Sequence, residues 1–446
     1  MLMIMSLNAA LGYGGDTVAM HRCMGQKGTV SSTVYGFRID NSESSPSSKV
    51  TYLEDAVGMT PAYMDYTNDV FNYGSWSDAF FMPRPCMLKY DGTVDYYLDP
   101  DDYTKKADGV TASDVANTSY GGNAMMEWGR DGKKIWYKIV PDSNNPKSAS
   151  VYIADKQIDN DYHAWSFINN QGNLVDHFYT PIYNIRVDSG KARSMSGWSA
   201  SNSNTSANER TYAKANNPST DVMWDLEVYA DRLLITLLCI LISKTTDAST
   251  AFGKGLASGG NQSVNNGFNT GIHNTKGLFY GTNSGLVSSG NYGNAVKIFG
   301  MENYYGFAWK RILGWVNTTS GQKVKLTHGT QDGSTASDYD FTGNGYISVS
   351  NSTPTGTSGN HLKEMLFDST GIMLPQNASG ASSSTYYCDE FLFDNTKTTL
   401  AGVGEHDARN ADVVDNIGLF AVYLYFDGTF TAWNCTGSLS CKPLSS

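Results

Sequence analysis

Hydrophobic positions along this chain come in short runs, and few of them recur at helical spacing. Up to residue 115 the apolar pieces 34–39, 79–82 and 96–98 are each cut off by Gly, Pro or Asp, and no 3.6-residue period persists. That stretch predicts an irregular β-rich module. Residues 124–140, AMMEWGRDGKKIWYKIV, place two apolar segments around Arg130, Asp131 and Gly132, which predicts a hairpin. Residues 163–168 and 174–185 predict further strands. One strong helix is expected over 221–243, capped by Ser219 or Thr220, with Asp221 in its first turn. Trp224, Val228, Ile235, Leu238 and Ile242 fall at helical spacing within it, and its second half is apolar all round, so it should be buried on most sides. A weaker helix is expected over 208–215. Residues 199–208, all Ser, Asn, Ala and Thr, and the Gly-, Asn- and Ser-rich residues 254–294 predict long loops. Aromatic segments at 296–316 and 346–349 follow. Strand-like runs fill 386–444, the clearest being 419–426.

Strands, one or two helices and long loops together predict an α+β fold. The polar stretch 99–108 marks a boundary. The expected organisation is a β-rich N-terminal module over 1–115 and a ligand-binding domain over 116–446.

Composition sharpens this picture. Only 17% of residues are charged, whereas aromatics reach 12%, with 28 Tyr, 9 Trp and 45 Gly. Tyr and Trp supply rigid contact area at low entropy cost, and Ser, Gly and Asn supply adaptable hydrogen bonds, so the palette suits a binding surface. It equally suits a β protein with many turns. The formal net charge of -11 argues against a nucleic-acid partner, which requires a basic stripe to release counterions. The most apolar run, 233–242, is too short to cross a bilayer, which takes about 20 residues. Residues 1–11 lack the basic n-region and long h-region of a signal peptide. A chain without membrane insertion is therefore expected.

The six cysteines, Cys23, Cys86, Cys239, Cys388, Cys435 and Cys441, show neither a C-x-x-C pair nor zinc spacing, and free thiols are the expectation. Cys435 and Cys441 are close enough in sequence to share a hairpin. No G-x-S-x-G, H-E-x-x-H or P-loop motif is present. A calcium ion is conceivable at Asp338, Asp340 and Asn344 in SDYDFTGNG, although the spacing is not that of an EF-hand. Asp99, Asp101 and Asp102 read as an ordinary acidic turn.

Three segments carry a resemblance. Residues 298–316, IFGMENYYGFAWKRILGWV, resemble the G-x-E-N-x-x-G-x-x-W block of the formylglycine-generating-enzyme branch of C-type-lectin-like domains, matching at Gly300, Glu302, Asn303, Gly306 and Trp309. Lys310 and Arg311 stand where the enzymes often continue W-E-W. The NIGLF and SLSCKPL pieces within 416–444 resemble the ending of variable proteins from diversity-generating retroelements and their phage relatives. Residues 126–139 resemble the strand pair that opens the lectin-like domain in phage versions.

The resemblance implies a C-type-lectin-like domain with long loops, no catalysis, and a variable segment over about 388–433. In that family, copying errors at adenines randomise Asn codons, which can then encode Tyr, Asp, His, Ser, Phe, Arg or Gly but not Lys, Glu, Gln, Met or Trp. Asp389, Phe391, Phe393, Asn395, His406, Asp407, Arg409, Asn410, Asp412, Tyr423 and Tyr425 are reachable in this way, whereas Glu390, Lys397, Glu405 and Trp433 would be fixed.

The candidate ligand-binding residues are Phe391, Phe393, Asn395, His406, Asp407, Arg409, Asn410, Tyr423 and Tyr425. Aromatics with Arg and Asn are what binding hot spots use. Against this, strand alternation would turn one set of these residues inward. Trp309 and Trp315 read as core, and Glu302 and Asn303 as loop ties. The expected function is non-enzymatic binding of a host-surface protein or glycan, as a receptor-binding or adhesin-type protein on a phage virion, in a tail or head fibre, or on a bacterial surface. Other virion subunits are further expected partners, a homo-oligomer is compatible, and no cofactor is required. The rivals are a structural virion decoration protein and a cysteine oxidase using Cys435 and Cys441.

Overall fold

The computed structural model describes residues 32–145, 147–219, 223–256, 269–284, 294–329, 338–404 and 417–444. Among the described residues strand accounts for 33% and helix for 10%, in three helices. The fold is thus all-β, and the expected α+β architecture with a lectin-like domain is overturned. The long helix is a single apolar pin among sheets and does not form a layer of its own.

The strands that build the main sheets are β1 (Val34–Asp40), β2 (Val50–Glu54), β3 (Arg84–Lys89), β4 (Val94–Tyr97), β5 (Gly122–Trp128), β6 (Trp136–Pro141), β7 (Ser148–Ala154), β8 (Phe178–Pro181) and β9 (Trp224–Leu226). They continue as β10 (Trp309–Thr318), β11 (Gly321–Val324), β12 (Ile347–Ser348), β13 (Asn360–His361), β14 (Glu390–Phe393), β15 (Thr399–Gly404), β16 (Val422–Leu424), β17 (Cys435–Gly437) and β18 (Leu439–Cys441). The helices are α1 (Ser206–Lys214), α2 (Tyr229–Ser243) and α3 (Ala248–Phe252).

A first sheet runs β2-β1-β7-β6, and a second runs β9-β18-β8-β5-β3-β4. A third, eight-stranded sheet runs β12-β11-β10-β15-β16-β14-β13, with β17 parallel to β10 off that path. Both the first and the second sheet take strands from either side of residue 115.

The two apolar segments of residues 124–140 do become strands β5 and β6, but they do not form the expected hairpin. Instead, β5 pairs with β3 and β8, and β6 pairs with β7. The connection takes left-handed backbone at Gly129 and Asp131 and carries the chain from the second sheet into the first. Residues 79–82 form a turn, with Ala79, Phe81 and Met82 buried.

The expected helix over 221–243 begins only at Tyr229. Trp224, Asp225 and Leu226 instead pair with Cys441, Ser440 and Leu439, so a long-range strand partner overrides the helical spacing of the earlier residues. The apolar half behaves as its pattern predicts, since every residue of α2 is buried. Its flanks touch the first and third sheets. Tyr52 of β2 donates to the carbonyl of Leu241 at 2.8 Å, and Tyr229 packs edge-on against Trp315 of β10. The amide of Ala62 satisfies the Ile242 carbonyl at 2.7 Å, so the buried C-terminal turn is not left without donors. The shorter helix forms as α1, capped by Thr205, whose hydroxyl accepts from the Asn208 amide.

Two charged groups sit in this core as a pair. Lys442 Nζ lies 2.9 Å from Asp231 Oδ1 and also donates to the Ser166 carbonyl, while the Ser440 hydroxyl lies 3.3 Å from Asp231 Oδ2. The SLSCK segment therefore inserts β18 between β8 and β9 and neutralises the first turn of α2. Burial pushes the Asp231 carboxyl up, and Lys442 partly offsets this.

Candidate binding face

The third sheet positions the candidate residues. β14 and β16 run parallel, with Phe391, Leu392 and Phe393 opposite Val422, Tyr423 and Leu424. Alternation then sorts the side chains. Phe391, Phe393, Val422 and Leu424 point inward and are buried. The Phe391 and Phe393 rings lie 4.9 Å apart within the core. Both were expected on the binding face, and the pleat places them beneath it instead. Asn395 is half-buried and ties loops together, its amide donating to the Pro354 carbonyl at 2.8 Å. It too is a structural residue here. His406, Asp407, Arg409 and Asn410 lie outside the described residues.

Leu392, Tyr423 and Tyr425 face the other way. Tyr425 is 39% exposed, and the Lys397 ammonium sits 4.5 Å above its ring. Tyr423 rests on Trp309, which is itself only 4% exposed and is the outward residue at the start of β10. Cys435, Phe430 and Ala432 complete the same apolar cluster.

The most regular element of this face was not foreseen from the sequence. Phe426 and Phe430 stack with centroids 3.5 Å apart and planes 3° from parallel. The turn between them explains the register. Asp427 Oδ1 accepts from both the amide and the hydroxyl of Thr429, and the Phe430 amide returns to the Asp427 carbonyl at 3.2 Å. The FDGTF sequence thus folds two rings four residues apart onto each other, a signal that periodicity alone does not reveal.

A buried ion pair fastens this turn from below. Arg311 lies 2.6 Å from Glu209 of α1 and donates to the Phe430 carbonyl. Burial drives the Glu209 carboxyl up to about 7, even though Arg311 pulls the other way. The amides of Ser203 and Ser206 donate to the carbonyls of Ala432 and Gly428, each at 2.9 Å, so the loop before α1 borders the aromatic turn. Between Arg311 and Val316 the β10–β15 register breaks into a bulge. Gly314 lies in it at φ 75°, where a Cβ would come within 2.5 Å of the Lys325 carbonyl oxygen.

The G-x-E-N block has a scaffold role. Glu302 is buried and accepts the amides of Gly271 and His273 at 2.6 and 3.0 Å. Gly300 takes φ 82° where a Cβ would strike Met126 and Tyr103. Lys310 donates to the Asn303 carbonyl at 2.7 Å. These contacts brace the start of β10 and hence Trp309.

The calcium expectation at SDYDFTGNG does not fit the donor set. Asp338 pairs with Arg210 and Lys214, and Asp340 Oδ1 accepts the amides of Thr342 and Gly343 within its own turn. Among the described residues, no three His, Cys, Asp or Glu side chains converge as a metal site. Cys435 and Cys441 are free, buried thiols on β17 and β18, strands of different sheets and not of one hairpin. Burial pushes the Cys441 thiol well up, away from the reactive thiolate. No helix of the described residues is long and apolar enough to cross a membrane. No protein-family model matches the chain, and a search of curated proteins finds no significant match.

Proposed function

We propose that this protein binds a macromolecular ligand without catalysis, as a receptor-binding or adhesin-type protein presented on a virion or bacterial surface. The face comprises Leu392, Tyr423, Tyr425, Phe426 and Phe430, and kinship with retroelement-diversified variable proteins would make it a varied one. The observation that carries this reading is the outward row of aromatic rings on a braced sheet. Such rings form anchors at little entropic cost, because their rotamers are already restricted. Host-surface protein or glycan is the partner class. A structural role against other virion subunits is the second reading, favoured by the rigid Phe426–Phe430 stack, which suits a permanent contact as well as a transient one.

Sequencing this gene across a natural population tests the proposal. Substitutions at residues 423 and 425, with 422 and 424 constant, would support a varied face on an unvaried core. Uniform constancy would favour the structural role. Variation indifferent to the pleat would remove the basis for assigning the face.

A further inference from the structure

Beside the aromatic turn lies a groove of about 540 Å³ lined by Arg186, Ser199, Ser201, Asn202, Asn204 and Tyr212, among others. We infer that this groove is a carbohydrate subsite, continuous with the aromatic face, that takes an oligosaccharide bearing a carboxylate. The inference rests on the binding function proposed above and names the ligand class.

Arg186 supplies the first argument. Its guanidinium is exposed and lies over the Trp198 ring at 5.4 Å, yet among the described residues no carboxylate lies within ion-pair distance of it. The nearby Asp188 pairs with Arg193 instead. A guanidinium steadied against an indole presents a planar fork of donors suited to a carboxylate.

The second argument is the polar lining. Ser201 Oγ accepts the Val187 amide at 2.8 Å, which leaves its O–H to donate. Asn204 donates its amide to the Asn202 carbonyl at 3.0 Å, which leaves its Oδ1 to accept. Ser199 donates to Asn269 Oδ1 at 3.1 Å and keeps lone pairs. Donors and acceptors on short side chains match the paired donor–acceptor character of vicinal sugar hydroxyls. A protein partner would find no apolar anchor pocket in this hollow.

Continuity is the third argument. The hydrogen bonds from Ser203 to Ala432 and from Ser206 to Gly428 seam the groove loop to the aromatic turn. Phe430, Phe426 and Tyr425 lie on the far side of that seam, and their ring faces suit the C–H face of a pyranose, so a glycan long enough to cross the seam would meet them.

The test applies the full chain to an array of uronate- and sialate-bearing oligosaccharides, their carboxyl-reduced counterparts and neutral oligosaccharides, alongside a displayed peptide library. Acidic members should be retained, and carboxyl reduction should weaken them about tenfold, the scale of one charge-assisted hydrogen bond. Arg186→Gln should erase that preference, and Asn204→Ala should weaken acidic and reduced members alike, both variants keeping the parent melting temperature. Glycan binding indifferent to both substitutions overturns the inference. Selection of peptides only, lost on Tyr425→Ala, overturns the groove but leaves the aromatic face standing. Retention of neither probe class removes both.

Discussion

The indole of Trp309 and the phenol of Tyr423 meet at 4.6 Å between ring centres, with their planes 32° apart. One ring belongs to the buried start of β10 and the other to the outward side of β16. The contact therefore fixes how the exposed aromatics sit on the interior. Tyr423→Ala should loosen Trp309 at a cost of about 1 kcal/mol, the usual worth of an aromatic pair. In protein labelled with 5-fluorotryptophan, the Trp309 resonance, assigned by Trp309→Phe, should shift while the other indoles stay in place.

Neighbouring positions on the pleat should behave oppositely. Phe391→Ala removes a fully buried ring and should cost about 3–5 kcal/mol. Tyr425→Ala removes an exposed one and should stay within about 0.5 kcal/mol of the parent. Denaturant midpoints check both. Equal losses at the two sites would contradict the inward and outward assignment.

The Glu209–Arg311 pair predicts a pH dependence. Folding raises the Glu209 carboxyl from its ordinary 4.5 to about 7. Between those values the folded chain holds a proton that the unfolded chain releases. The stabilising contribution is complete below about 4.5 and is lost as pH rises through about 7. Glu209→Gln should remove this share of the pH slope, so the parent's stability should fall relative to the variant between pH 5 and pH 8. Urea midpoints at the two pH values give the comparison, and parallel profiles would contradict it.

The Asp231–Lys442 pair predicts a non-additive cycle. Lys442→Met leaves a fully buried carboxylate without its counter-charge and should cost about 3–5 kcal/mol. Asp231→Leu combined with Lys442→Met should recover most of that loss, since apolar replacements of buried ion pairs are often neutral. Additive losses in a double-mutant cycle would show that the pair is not the source of the effect.

Legibility differed by interaction range. Local signals are legible in the apolar half of α2 and in the short helix α1, whereas Phe391 and Phe393, assigned to the binding face for their aromatic character, turn inward because strand alternation wins. Long-range pairing is not legible. Trp224 lies at helical spacing from Val228, but its partner is Cys441, more than 200 residues away, and nothing local announces that strand. The β5–β6 hairpin failed for the same reason, as both strands had better partners elsewhere. The all-β character was hidden because the single long helix has the chain's strongest periodicity. Phe430 was overlooked because its role depends on a turn and not on a period.

The position of β18 has a consequence for how faulty copies of this chain would fare. The strand closes the second sheet between β8 and β9, yet it follows the aromatic turn by only a few residues. A chain broken or frame-shifted within the face also loses β18 and Lys442, leaving an open sheet and a stranded carboxylate. Substitutions that keep the frame and point outward spare both. Truncated copies would therefore fail to close the second sheet, whereas copies altered only at outward positions would keep it closed. The closing strand thus makes closure of the second sheet depend on an intact chain through the turn that precedes it.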